Sequence, residues 1–123
     1  RELNLLILGL SFKENTDDVR ESSSLKIIPE LKNKFNLIYA HDPVAINNFK
    51  KVEINFRGLK YLDKWENIFR SCQIILILTN WKEYKKLENY DLSNKIIIDP
   101  RRFLNINIIN PKEYFAIGLN KKN

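Results

Sequence analysis

The chain has 123 residues, of which 44% are hydrophobic, so one domain of ordinary size with its own core is expected and a disordered tail is excluded. A single cysteine, Cys72, and a single histidine, His41, exclude an internal disulfide and a four-ligand zinc site. The 21 Lys and Arg against 15 Asp and Glu leave a net charge of +6, but the cations are scattered along the chain and read as solvated surface, so nucleic-acid binding cannot be argued from them.

No apolar run approaches the ~20 residues that cross a bilayer, and the opening Arg1-Glu2-Leu3-Asn4 lacks the layout of a secretion signal, which reads as a soluble cytoplasmic protein without a membrane partner. The absence of methionine, with a strand-like run beginning almost at once, reads as a piece of something longer.

In chain order, short apolar and β-branched runs recur at Leu3 to Leu8, Leu37 to Ala40, Ile74 to Leu78, Ile96 to Ile98 and Tyr114 to Ile117. They are continuous, not alternating, which predicts strands buried on both faces, as in a parallel sheet covered by helices. Between the first two runs, Leu25, Ile28, Leu31 and Phe35 recur at helical spacing, with Pro29 as an interruption. Asp18 and Glu21 have capping-box spacing for this helix, and Ser22, Ser23 and Ser24 are alternative caps. The stretch from Asn47 to Tyr61, broken by Gly58, predicts a short helix and a short strand. Leu62, Trp65 and Phe69 predict a further helix. No repeat or linker is visible. The pattern is β-α-β repeated, an open α/β sheet.

Ligands of such a sheet bind beyond the carboxyl ends of its strands, where strand order reverses. The first strand leads into Gly9-Leu10-Ser11-Phe12-Lys13 and, with the short strand before Leu62 counted as the third, the fourth ends at Thr79-Asn80-Trp81 and the fifth at Asp99-Pro100-Arg101-Arg102. If these strands are neighbours, Lys13 and Arg101 or Arg102 approach one crevice and suit a phosphate or pyrophosphate; spacing alone is equally compatible with solvated loop charge. The first loop has one glycine and no G-x-G-x-x-G, so the sheet is not a self-sufficient dinucleotide domain. A Walker loop and a Ser, His and acid arrangement are also missing. His41, in His41-Asp42-Pro43, reads as a packing or turn residue. Cys72, where an amphipathic helix meets a hydrophobic strand, reads as a small buried hydrophobe with no Lys or His clearly placed to activate it.

The segment from Gly9 to Ser22, Gly-Leu-Ser-Phe-Lys-Glu-Asn-Thr-Asp-Asp-Val-Arg-Glu-Ser, closely resembles the opening of the C-terminal domain of UDP-glucose and GDP-mannose dehydrogenases. The likeness continues through His41-Asp42-Pro43-Val44-Ala45, Ile77-Leu78-Thr79-Asn80-Trp81, Ile98-Asp99-Pro100-Arg101-Arg102 and Ala116-Ile117-Gly118, essentially the whole chain. The Asp-Pro-Val-Ala and Thr-x-Trp elements look more like the UDP-glucose 6-dehydrogenase branch.

This resemblance implies a UDP-binding domain with a Rossmann-like, mostly parallel, three-layer αβα fold and helices on both faces, preceded in the full enzymes by an NAD-binding domain and a central dimerisation domain. Those enzymes oxidise the sugar C6 alcohol to a carboxylate in two hydride transfers to NAD. By carry-over, Phe12 and Lys13 match positions that contact the nucleotide sugar, and Arg101 matches a substrate-contacting arginine. Arg20 matches one that reaches across the cleft to NAD. Thr16, Asp17, Asp18 and Ser22 match positions that shape the loop and cap the helix. Pro100 stands where the family commonly has glycine, and Asn80 where it often has glutamate. The nucleophilic cysteine of these enzymes lies in the central domain, so this chain is expected to hold no catalytic residue and no metal, to be inactive alone, and to take UDP-glucose or a related nucleotide sugar. The full-length protein is expected to be a homo-oligomer. A domain from a UDP-N-acetyl-sugar or GDP-mannose dehydrogenase, or a non-catalytic α/β interaction module, are the alternatives.

Overall fold

A computed structural model of the chain describes residues 3–31, 33–53 and 58–117. Six strands form one parallel sheet in the order β3-β2-β1-β4-β5-β6: β1 Asn4–Leu8, β2 Leu37–His41, β3 Leu59–Leu62, β4 Ile74–Ile77, β5 Ile96–Ile98 and β6 Glu113–Phe115. Each apolar run of the sequence forms a strand, and Asn47 to Tyr61 contributes the expected helix and the start of β3. The chain builds outward from β1 through β2 to β3, then returns to the far side of β1 with β4. The reversal therefore lies between β1 and β4.

The central strand explains the continuous hydrophobicity. Leu5 and Ile7 face one core with Leu10, Ile28, Phe49 and Leu76, while Leu6 and Leu8 face a second with Trp65, Ile75, Tyr84 and Ile97. Leu5 through Leu8 are at most 1% exposed. At about 1.5 to 3 kcal/mol for each fully buried aliphatic side chain, Leu5 to Leu8 together contribute on the order of 6 to 12 kcal/mol before the cost of ordering the chain.

The covering layers differ from the sequence reading. The stretch spaced like one long helix from Leu25 to Phe35 is α1 (Ser23–Ile27) followed by a 3₁₀ turn over Ile28–Leu31. Pro29 has no amide hydrogen to continue the ladder, so the α-helical pattern stops beside it. The apolar positions still pack as expected, because Leu25, Ile28, Leu31 and Phe35 all join the first core. The cap is Ser22, whose side chain accepts a bond from Ser24 N–H. Asp18 instead closes a turn of its own by accepting from Arg20 N–H at 2.9 Å.

A second helix, α2 (Ile46–Val52), covers the same face, with Phe49 fully buried. On the opposite face the predicted helix through Trp65 and Phe69 is two 3₁₀ turns, Trp65–Asn67 and Phe69–Ser71, and Leu62 belongs to β3. The connection from β3 to β4 must pass two strands in few residues. A 3₁₀ path rises about 2.0 Å per residue against about 1.5 Å for an α-helix, which suits that span. A longer 3₁₀ segment, Lys82–Asn89, completes this layer through Tyr84 and Leu87. No helix among the described residues is long and apolar enough to cross a membrane.

Candidate functional site at the carboxyl edge of the sheet

The exits of β1 and β4 are pressed together. Gly9 has φ +110°, and a Cβ there would lie 2.4 Å from Thr79 N, so glycine is required both for the conformation and for the approach. Gly9 N–H donates to His41 O at 2.8 Å, and Leu78 N–H donates to Leu8 O at 2.8 Å. The three central strands thus continue to exchange bonds as they leave the sheet.

Beyond Gly9 the loop is held from both sides. Asp42, at the exit of β2 and 3% exposed, accepts Leu10 N–H at 2.8 Å, Ser11 N–H at 3.0 Å and the Trp81 indole N–H at 3.2 Å on Oδ2. Its Oδ1 accepts Val44 N–H and Ala45 N–H at 3.0 and 2.9 Å. From the β4 exit, the Thr79 hydroxyl donates to Ser11 O at 2.9 Å, and Trp81 Nε1 also donates to Ser11 Oγ at 3.1 Å. Ser11 Oγ donates to Lys13 O at 2.9 Å, and Ser24 Oγ donates to Gly9 O at 2.7 Å.

On this frame Phe12 and Lys13 are exposed, Phe12 at 47%, so the aromatic ring is not a core residue. Arg101 reaches back from the β5 exit and donates from Nη2 to Leu78 O at 2.8 Å. The carbonyl it grips belongs to the residue before Thr79, which holds the Lys13 loop. The loops that carry Lys13 and Arg101 are therefore joined across one seam at the point of strand reversal. Arg102 follows in the left-handed region, with φ +56°, and its charge acts on the Tyr114 hydroxyl, on the β6 side.

Arg20 lies at the far end of the same loop. Its side chain is 84% exposed and forks onto Asp18, with Nε to Oδ1 at 3.0 Å and Nη2 to Oδ2 at 2.8 Å. Hydrogen bonding from Arg20 holds the Asp18 carboxyl well down, at about 2. Phe12 N–H donates to Asp18 O at 2.6 Å, which closes the intervening turn; Asn15 takes positive φ within it, and Glu21 does so beyond it.

The remaining candidates are structural. His41 is the last residue of β2, 3% exposed, with Nδ1 2.9 Å from the Tyr84 hydroxyl. Cys72 is buried at the opposite, amino edge of the sheet, and burial pushes its thiol up to about 11. One detail departs from the sequence reading: a lysine does stand there, since Lys95 Nζ donates to Cys72 O at 2.6 Å and to Phe69 O at 2.7 Å. Its charge pulls the thiol down, but burial outweighs it. A hollow of about 590 Å³ lined by Phe69, Arg70, Tyr90 and Lys95 occupies the same amino edge, away from the strand exits.

The residues sequence reasoning missed are Asp42 and Trp81 as organisers of the site. An Asp-Pro after a strand carries a turn signal, but nothing local announces donors that come from two distant loops.

NAD, which the resemblance implies, does not fit this sheet in the manner of a dinucleotide domain. The two amides that would face a pyrophosphate, Leu10 and Ser11 N–H, are already taken by the Asp42 carboxylate.

Residues 6–106 match the UDP-glucose/GDP-mannose dehydrogenase family, UDP binding domain. The chain is 40% identical over 121 residues to a UDP-glucose 6-dehydrogenase of Rickettsia conorii, a match that covers 94% of this chain and 28% of the relative. Its structure resembles that of a UDP-glucose dehydrogenase from Pyrobaculum islandicum, with a TM-score of 0.68 and 27% identity over 94% of this chain and 26% of the other. A GDP-mannose dehydrogenase from Pseudomonas aeruginosa shares the fold at a TM-score of 0.71 and 19% identity, over 94% of this chain and 28% of that one. The chain thus spans little more than a quarter of the length of these proteins. With the match running from β1 past the β5 exit, the chain belongs to the UDP-glucose/GDP-mannose dehydrogenase family as a UDP binding domain.

Proposed function

We propose that the chain is the nucleotide-sugar-holding part of an NAD-dependent dehydrogenase that oxidises UDP-glucose to UDP-glucuronate in two hydride transfers. The NAD-binding and dimerisation domains and the catalytic cysteine belong to parts of the enzyme outside this chain. Lys13 supplies a compact cation and Arg101 a planar fork for the diphosphate or sugar hydroxyls, and Phe12 offers an exposed ring to base or sugar. Arg20, at the rim, faces the cofactor held by the rest of the enzyme. Hydride transfer needs the reacting carbon held within near-attack distance of the nicotinamide, so contacts to the distant UDP serve a reaction they do not touch.

The observation that carries this reading is the seam at the strand reversal. Arg101 is bonded to Leu78 O and the Lys13 loop to Thr79, which ties together the two loops that bear these cations and supports a shared binding edge. Each charge-assisted contact is worth about 1.5 to 3 kcal/mol before ordering costs, which predicts weak binding of UDP by the chain alone.

The test is a titration of the ¹⁵N-labelled chain with UDP, UDP-glucose and GDP. Amide shifts are expected around Phe12, Lys13 and Arg101, with UDP preferred to GDP. Shifts confined to the amino-edge hollow would refute the site, and turnover of UDP-glucose with NAD by this chain alone would refute its assignment as a part.

A further inference from the structure

Asp42 stands at the exit of β2, where a nucleotide-binding sheet of this strand order commonly carries the acid that bonds a ribose hydroxyl. Here the carboxylate is turned inward. A carboxylate offers about four lone-pair positions. Leu10, Ser11, Val44 and Ala45 amides and the Trp81 indole all converge on this one, so little capacity remains for a ligand. The amides of the β1 loop, the groups that meet a bound phosphate in a glycine-rich loop, are filled by an anion from the chain itself.

We propose that Asp42 and Trp81 are a positioning pair for the nucleotide site. The carboxylate acts as a built-in anion that sets the shape of the loop carrying Phe12 and Lys13, and the indole ties that loop to the β4 exit. The diphosphate is then gripped by the Lys13 and Arg101 side chains and not by a backbone cradle. This rests on the reading of Lys13 as a UDP contact.

The path is continuous. Arg101 holds Leu78 O, the adjacent Thr79 holds Ser11 O, Trp81 bridges Ser11 Oγ and Asp42, and Ser11 Oγ holds Lys13 O. Trp81 is only half-buried and its N–H bonds end on Ser11 and on the Asp42 carboxylate that holds the loop, and Trp81→Phe keeps the ring that packs against the second core, so their loss perturbs the loop before the fold. Asp42 is buried with both oxygens taken by donors of the chain itself, and the Trp81 N–H is spent on Asp42 and Ser11, so the role assigned to the pair is positioning.

The experiment is a double-mutant cycle on UDP affinity, measured by NMR titration of the 123-residue chain, the Trp81→Phe and Lys13→Ala variants and their combination. Trp81→Phe keeps the ring and removes the donor, and is expected to raise the Kd about five-fold, with Lys13→Ala raising it about ten-fold. The combination is expected to bind no more weakly than Lys13→Ala alone, because the indole acts through the lysine loop. Additive losses, the signature of general destabilisation, would overturn the pairing, as would a Trp81→Phe variant with unchanged Kd. Asp42→Asn is expected to weaken binding more than Trp81→Phe; if it fails to fold, the tryptophan cycle decides alone. If wild type does not bind UDP, or Lys13→Ala binds as wild type does, the site reading itself fails and the pairing with it. A silent Trp81→Phe beside an impaired Lys13→Ala removes the pairing only.

Discussion

At Gly9 the chain leaves β1 with no room for a side chain, since an added Cβ would meet Thr79 at 2.4 Å from N and 2.5 Å from Cβ. Both obstacles belong to a rigid strand exit, and φ is +110°, so strain and overlap act together. Gly9→Ala is expected to cost about 3 kcal/mol or more, measured by urea denaturation. A loss below about 1 kcal/mol would mean that the β1 and β4 exits can separate freely. At this scale the sequence is uneven as a guide. The placement of Lys13 and Arg101 at the carboxyl edge is legible because each follows an apolar run, and a parallel sheet turns such positions toward one edge. The part played by Asp42 is not legible, because its donors lie up to 39 residues away and only folding brings them together. Phe12 shows the same limit, since an aromatic after a strand gives no local sign of whether it faces core or solvent.

Strands were readable in full, whereas the helices were readable in place but not in length or in α against 3₁₀ type, and the cause is the length of the crossovers. A buried parallel strand announces itself by four or five consecutive apolar residues, as Leu5 to Leu8 and Ile74 to Ile77 do. Apolar spacing of three and four reports which side chains face the sheet, but α and 3₁₀ paths both satisfy it over short stretches. Pro29 and the short reach from β3 to β4 then decide in favour of tighter turns. The β5 to β6 crossover is organised differently, around a fully buried Asp99. Its carboxylate accepts Phe103 N–H and Leu104 N–H, both at 2.9 Å, and the Tyr114 hydroxyl at 2.8 Å. The same exit bears Arg101, so this carboxylate anchors one wall of the proposed site. Tyr114→Phe removes one of three donors and is expected to cost about 1.5 kcal/mol in urea denaturation, with a weaker response of the Arg101 amide to UDP. An unchanged midpoint would show that β6 is held by its backbone pairing alone.

Across the whole molecule the sheet separates two cores, and the second contains a histidine whose charge the fold resists. His41 lies opposite Leu8 in register, against the Tyr84 ring, with Nε2 3.9 Å from the Glu83 carboxylate. Burial lowers its pKa below the ordinary 6.5, and the opposing pulls of Glu83, Asp42 and Glu66 and of the Asp63 backbone do not cancel that effect. The unfolded chain therefore takes up this proton at a higher pH than the native one. Above about pH 6.5 the residue is neutral in both states and contributes no pH dependence; as pH falls from there toward the native pKa, protonation favours the unfolded chain. The limiting slope is about 1.4 kcal/mol per pH unit for one proton. Carboxylates of ordinary pKa add little between pH 7.5 and 5.5, so the histidine can be read in that window. The melting temperature is expected to fall over it in the wild type. It is expected to stay nearly flat in His41→Asn, which keeps a polar partner for the Tyr84 hydroxyl. Parallel profiles would mean that the imidazolium is accommodated within the native fold, through Glu83 or by local opening of the Lys82–Asn89 segment that covers it.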